Sequence, residues 1–237
     1  MKSMIIKISY NLEKDIENYS GQFFCGDRYN YGRGKNCPKS MVAEIQNYDL
    51  SSSKNKEEAT IFIRRTLKNF YKKNESYFLE QKKSLEKLWF TREKIFIKNL
   101  ESYLRVKVGK EIYNGYFTTL MTAPFDVKNK SFYILLHGKS LATQVNNICH
   151  EVFHIIFLSN YYGKMVKAGL SEGAILDINE SLTILLNLEF KELLITPENN
   201  NKPSTFDLQE EVIKSYKNKE PFDILLEKLI KMRLPIK

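Results

Sequence analysis

Apolar and polar positions divide the chain into stretches of different texture. Residues 4–10, MIIKISY, predict one short strand. CGDRYNYGRGKNCP, residues 25–38, is a loop by its Gly, Asn, Asp and Pro content. SSSKNKEE, residues 51–58, is a linker leading into a helix start. From Glu57 to about Tyr103, Ile61, Leu67, Phe70, Tyr71, Phe78, Leu85, Leu88, Trp89, Phe96 and Leu100 fall near helical spacing, with charges between them. This pattern predicts two helices that break near residues 73–76.

The texture changes at about Leu104. The next stretch is rich in Val, Ile, Tyr, Phe and Thr and is cut by Gly109, Gly115, Pro124 and Asn129. It predicts two or three strands with turns, the clearest being SFYILLH at 131–137. After Gly138 the pattern is helical over 141–159. A loop is expected around Tyr161–Gly163, then a second helix through LDINESLTILLNLEF. ITPENNNKPST, residues 195–205, is a polar loop, and two shorter helices are expected near 207–217 and 222–232. The fold class is therefore α+β. Its segments are an N-terminal part (1–50), a helical part (51–104) and a mixed part (105–237).

Composition narrows the class. The hydrophobic fraction of 43% is enough for a core in a 237-residue chain. No apolar run is long and uncharged enough to span a bilayer, and the first residues are too short an apolar stretch for a signal peptide. Three cysteines, Cys25, Cys37 and Cys149, are an odd number, so free thiols and a cytoplasmic location are expected. Cys25 and Cys37 offer two sulfurs without the further ligands of a structural zinc site. The formal charge of +9 is concentrated: Arg64 to Lys110 holds 14 Lys or Arg against 5 Glu, a surplus equal to that of the whole chain. Such a basic helical region is either a solvated face or a surface for nucleic acid.

The candidate chemistry lies in NNICHEVFHIIFLSN, residues 146–160, which holds two of the three histidines. His150 and His154 stand at i and i+4, on one face of a helix. Each can offer a ring nitrogen to one Zn²⁺. Glu151 sits about 100° around the helix, close enough to hold the water of such a site as a general base without ligating the metal. The HExxH spacing is that of metallopeptidases. The context fits: no Lys, Arg or Pro occurs from Leu141 to Tyr162, and Ile148, Val152, Ile155 and Ile156 bury the rest of the helix. The alternative is a buried helix whose histidines bond to nearby carbonyls.

A three-ligand site needs one more donor, and two glutamates compete. Glu172 follows Ser171, so a first-turn carboxylate beside an N-cap explains it without a metal. Glu180 lies among Ile178, Leu182, Ile184, Leu185 and Leu186, where a carboxylate is costly unless paired. Thr183 and Asn187 continue a narrow polar stripe from it. Glu180 is therefore favoured, with Glu172 kept as the alternative and His137 behind both.

The strand, the HEVFH helix and the NES helix together resemble the gluzincin group of zinc metallopeptidases, over about residues 113–190. They are also similar to small bacterial HExxH proteins with an NESLT-like helix. The gluzincin resemblance implies a zincin-like domain: a small mixed sheet, the HExxH helix and a glutamate-ligand helix, here with a helical N-terminal extension. It implies His150, His154 and Glu180 as zinc ligands, Glu151 as base, and a peptide or protein substrate. GLSEGA resembles the NEG segment of gluzincin aminopeptidases, which would make Glu172 the ligand. An extended substrate would pair with a strand edge above the active helix, and FYILLH is the candidate edge.

The chain departs from the group in one respect: no histidine follows His154 to stabilise an oxyanion. Tyr161, Tyr162, Tyr216 and Arg233 are the candidates for that work. His137 ends the last strand, either lining the cleft or simply capping the strand, and Cys149 is expected to pack in the core. A function of a different class remains open: a metal-stabilised regulatory protein whose basic helices bind nucleic acid.

Overall fold

The structure is a computed structural model that describes residues 5–24, 39–48, 50–136, 140–190 and 203–235. The loop at 25–38, with Cys25 and Cys37, lies outside the described residues, as do His137 and most of the polar loop at 195–205. The fold is mixed α+β, with a four-stranded sheet among many helices.

Strand β1 (Ile5–Tyr10) pairs parallel with β2 (Ile112–Thr118), and β2 pairs parallel with β4 (Ser131–Leu135). The two-residue β3 (Phe125–Asp126) runs antiparallel on the far side of β4, giving the order β1-β2-β4-β3. Alternation puts Ile8, Tyr113, Gly115, Phe117, Phe132 and Ile134 on one face, all buried. That face meets α4 (Glu75–Phe90) and α6 (Leu141–Lys167) in the main core. A Cβ at Gly115 would lie 2.8 Å from Ile134 Cδ1 and 3.1 Å from Phe132 Cζ. Glycine there lets two large side chains close over the middle of the sheet.

The opposite face is more polar and carries α1 (Leu12–Phe24). Tyr133 Oη donates to the Lys14 carbonyl (2.8 Å). Asp15, fully buried, accepts from the Thr118 hydroxyl (2.6 Å), the Thr119 hydroxyl (2.8 Å) and the Tyr71 hydroxyl (3.1 Å). A second apolar cluster joins α1 to α2 (Lys39–Ile45) and α3 (Ser53–Lys73) through Ile16, Tyr19, Phe23, Ile45, Ile63 and Leu67. The main core draws on Ile8, on Phe78 and Trp89, and on Phe153 and Leu226, so residues of all three sequence segments share it.

The helical region breaks at Asn74, as expected, and a second time at Thr91–Arg92, before α5 (Glu93–Leu104). Just past it, Glu93 accepts from Trp89 Nε1 (3.2 Å) and from the outward-facing Ile6 N–H of edge strand β1 (3.3 Å), tying the start of α5 to the sheet.

Three expectations are corrected. FYILLH is not a free outer edge at its start: β3 pairs with Phe132, and Tyr133 N–H donates to the Pro124 carbonyl (3.1 Å). The loop expected at Tyr161–Gly163 is helix. Tyr161 stacks on Phe157, packs on Phe222 and donates to the Leu104 carbonyl, and this packing outweighs the roughly 1 kcal/mol that Gly163 costs a helix. Helix α6 instead ends at Gly169 (φ 90°), where Leu170 N–H reaches the Met165 carbonyl (3.2 Å) in a glycine C-terminal motif. The helix expected over LDINESLTILLNLEF begins earlier, as α7 (Glu172–Leu182), and breaks at Thr183 before the short α8 (Leu185–Leu188). The final helices, α9 (Phe206–Lys217) and α10 (Phe222–Arg233), fall where the periodicity puts them.

Candidate metal centre

Ser140 caps the N-terminus of α6, its hydroxyl accepting from Thr143 N–H (3.2 Å), and the helix then runs buried from Gln144 through Leu158 with few interruptions. His150 and His154 lie on it one turn apart. Their Nε2 atoms approach to 2.8 Å and their rings stand edge to face, with centroids 4.4 Å apart. Only one proton fits between those nitrogens, so one imidazole donates and the other accepts. Burial, and then the charge of His154, push the His150 pKa down to about 3, against the pull of Glu180. His150 is neutral at neutral pH, the form that binds metal.

Helix α7 crosses α6 and carries Glu180 to this point, with Glu180 Oε1 3.7 Å from His154 Nε2. One ligand atom from each of His150, His154 and Glu180 lies within 4.8 Å of the others. Around a tetrahedral ion with bonds of about 2.05 Å, ligand atoms stand about 3.3 Å apart. The 2.8 and 3.7 Å separations lie on either side of that value, so the two histidines and the carboxylate form a group that could hold a metal ion.

Glu172 is elsewhere. It is exposed in the first turn of α7, behind Ser171, whose hydroxyl accepts from Ala174 N–H (3.3 Å). It serves the helix terminus, as its N-cap setting suggests. Glu180 is less enclosed than its apolar sequence neighbours suggest. Its side chain keeps 21% of its exposure, so it is half-buried rather than sealed. Thr183 is not part of a ligand stripe: its hydroxyl donates to the Glu180 carbonyl (2.7 Å) at the helix end.

Glu151 is buried beside His150. Asn147 Nδ2 donates to its Oε1 (3.0 Å), and Asn147 Oδ1 accepts from Leu135 N–H of β4 (3.0 Å). From the other side, the Phe125 ring of β3 packs on the His154 ring at 4.9 Å. Neither residue was singled out from the sequence. Asn147 had a signal, a polar residue one turn before Glu151 on an apolar helix. Phe125 had none, because its place depends on the β3–β4 pairing.

Three of the four oxyanion candidates contact other residues, and the fourth is exposed. Tyr161 is held by Leu104, Phe157 and Phe222. Tyr162 is exposed, and Tyr216 lies against Tyr103. Arg233 grips Asp207 through two nitrogens (2.6 and 2.7 Å) and donates to the Ser204 carbonyl (3.0 Å). Cys149 is fully buried in the core, as expected. No described helix is long and apolar enough to cross a membrane. No protein-family model, curated protein or solved structure matches the chain.

Proposed function

We propose that the chain is a zincin-like, zinc-dependent peptidase of the gluzincin kind, with His150, His154 and Glu180 as ligands and Glu151 as the base. The observation that carries this reading is the meeting of Glu180 with His154 at 3.7 Å, from a separate helix 26 positions along the chain. An i, i+4 histidine pair arises from helix periodicity alone, whereas a third donor at the same point requires α7 to cross α6 in one register. Zinc held by His150, His154 and Glu180 would supply Lewis acidity to activate a water near neutral pH. Glu151 takes a proton from the attacking water and returns it to the leaving amine nitrogen as the C–N bond breaks. The low exposure of Glu151 keeps bulk water from competing for that proton. Strand β3, outermost beside the active helix and carrying Phe125, is the edge on which an extended peptide would lie.

The test has two steps. Protein purified without added metal should contain one zinc per chain, and His150→Ala or His154→Ala should lose it. Glu151→Gln should keep the zinc and lose hydrolysis of a peptide library by roughly 10²–10⁴-fold. A metal-free parent, or full hydrolysis in Glu151→Gln, refutes the reading.

A second reading rests on the basic helices. Lys68, Lys72, Lys73, Lys83, Lys87 and Lys94 are exposed on α3–α5 and would suit a nucleic-acid backbone, with the metal centre structural. Retention on DNA that falls steeply with salt, in protein that cleaves no peptide, would favour it.

A further inference from the structure

Helix α6 and strand β4 meet at one carboxamide. Strand β3 stops pairing with β4 at Tyr133, whose N–H goes to the Pro124 carbonyl. The next N–H on that side of β4 belongs to Leu135, and Asn147 Oδ1 takes it (3.0 Å). The other end of the same side chain, Nδ2, donates to Glu151 Oε1 (3.0 Å). The orientation of the amide is forced. Reversed, its NH₂ would face the Leu135 N–H and its oxygen would face the carboxylate.

We propose that Asn147 is a positioning residue for Glu151, holding the base in place by anchoring its carboxylate to the backbone of β4. This rests on Glu151 being the base of a zinc site. A glutamate has three rotatable bonds, and a donor fixed to the sheet selects one placement before any substrate arrives. The hydrogen-bonded backbone of β4 thereby sets the position of the group that moves the proton. A tie between α6 and β4 alone would need only the Leu135 contact. The second hydrogen bond, to Glu151, adds the functional role.

The probe is acetohydroxamic acid, titrated calorimetrically into the zinc-loaded protein. Its N–OH proton passes to a neighbouring carboxylate when both its oxygens bind the metal, so its affinity reads the placement of Glu151 without any substrate. Glu151→Gln should weaken binding roughly tenfold or more, and Asn147→Ala should do the same with zinc affinity unchanged. The double variant should bind no more weakly than Glu151→Gln alone, because the two residues act as one unit. Asn147→Asp keeps the acceptor for Leu135 and so guards against a folding defect. It should keep the slow amide exchange of Leu135 yet bind the probe more weakly, while Asn147→Ala speeds that exchange. Parent-level probe affinity in both Asn147 variants, with Glu151→Gln weakened, overturns the role of Asn147 alone. Parent-level affinity in Glu151→Gln, or a parent without zinc, overturns the underlying reading and this role with it.

Discussion

Glu180→Ala and Glu172→Ala separate a ligand from a helix-terminus charge. Structural zinc sites with four ligands bind with roughly 10–16 kcal/mol, or about 3–4 kcal/mol for each ligand. Loss of the Glu180 carboxylate, which stands 3.7 Å from His154 Nε2, should therefore lower zinc affinity by roughly 10²–10³-fold. The metal-free fold should hardly notice. Glu180 keeps 21% of its side-chain exposure, so solvent screens its interaction with the neighbouring imidazole and the loss should be small. Glu172 is exposed in the first turn of α7, where a carboxylate contributes about 0.3–1 kcal/mol. Glu172→Ala should lower Tm by roughly 1–4 °C and leave zinc affinity at the parent value. The assay is a competitive chelator titration of parent and both variants at one pH, with melts of the metal-free proteins alongside. Zinc release by Glu172→Ala with retention by Glu180→Ala would refute the choice of helix face. Parent affinity in both would place the third donor elsewhere, and His137→Ala is then the variant to titrate.

Gly115→Ala puts a methyl group 2.8 Å from Ile134 Cδ1 and should cost about 1–3 kcal/mol. Adding Ile134→Val, which removes that Cδ1, should restore part of the loss in thermal melts, and an unchanged Tm in the single variant would contradict the packing. Burial raises the Asp15 pKa, against hydrogen bonds from Thr118, Thr119 and Tyr71 that lower it. The folded state thus holds this proton to higher pH than the unfolded chain. The stability it adds is present below the ordinary carboxylate range and is lost as pH rises through the raised value. Urea midpoints from pH 3 to 7 should show that loss in the parent and less of it in Asp15→Asn. A parent profile without this component, identical to that of the variant, would refute it. Arg233→Ala should cost roughly 0.5–1.5 kcal/mol through its contacts with Asp207 and Ser204, and zinc affinity should not change. Zinc loss in that variant would return Arg233 to the site.

Several features were legible because they are local. The spacing of His150 and His154 needs only helix periodicity, and the apolar run around them identifies a buried helix before any fold is known. Ser171 before Glu172 explains that carboxylate through the first turn of one helix. The alternation in SFYILLH and the helical spacing of 207–217 and 222–232 are likewise properties of short windows. The meeting of Glu180 with His154 was reached by a different route, since a carboxylate among Ile178, Leu182 and Leu185 is costly without a partner.

What the windows could not contain is what comes from elsewhere in the chain. Gly163 marks a loop by propensity, yet Leu104, 57 positions before Tyr161, holds that residue and keeps the helix going. The tie between Glu93 and Ile6 joins residues 87 positions apart, and the covering of β4 comes from two residues of β3. Asn147 looks like an ordinary polar residue until Leu135 and Glu151 are seen at its two ends. Local hydrogen bonding and periodicity are written in consecutive residues. The register between elements is settled by packing and by unpaired N–H groups finding distant acceptors, and only the tertiary structure decides which acceptor is near.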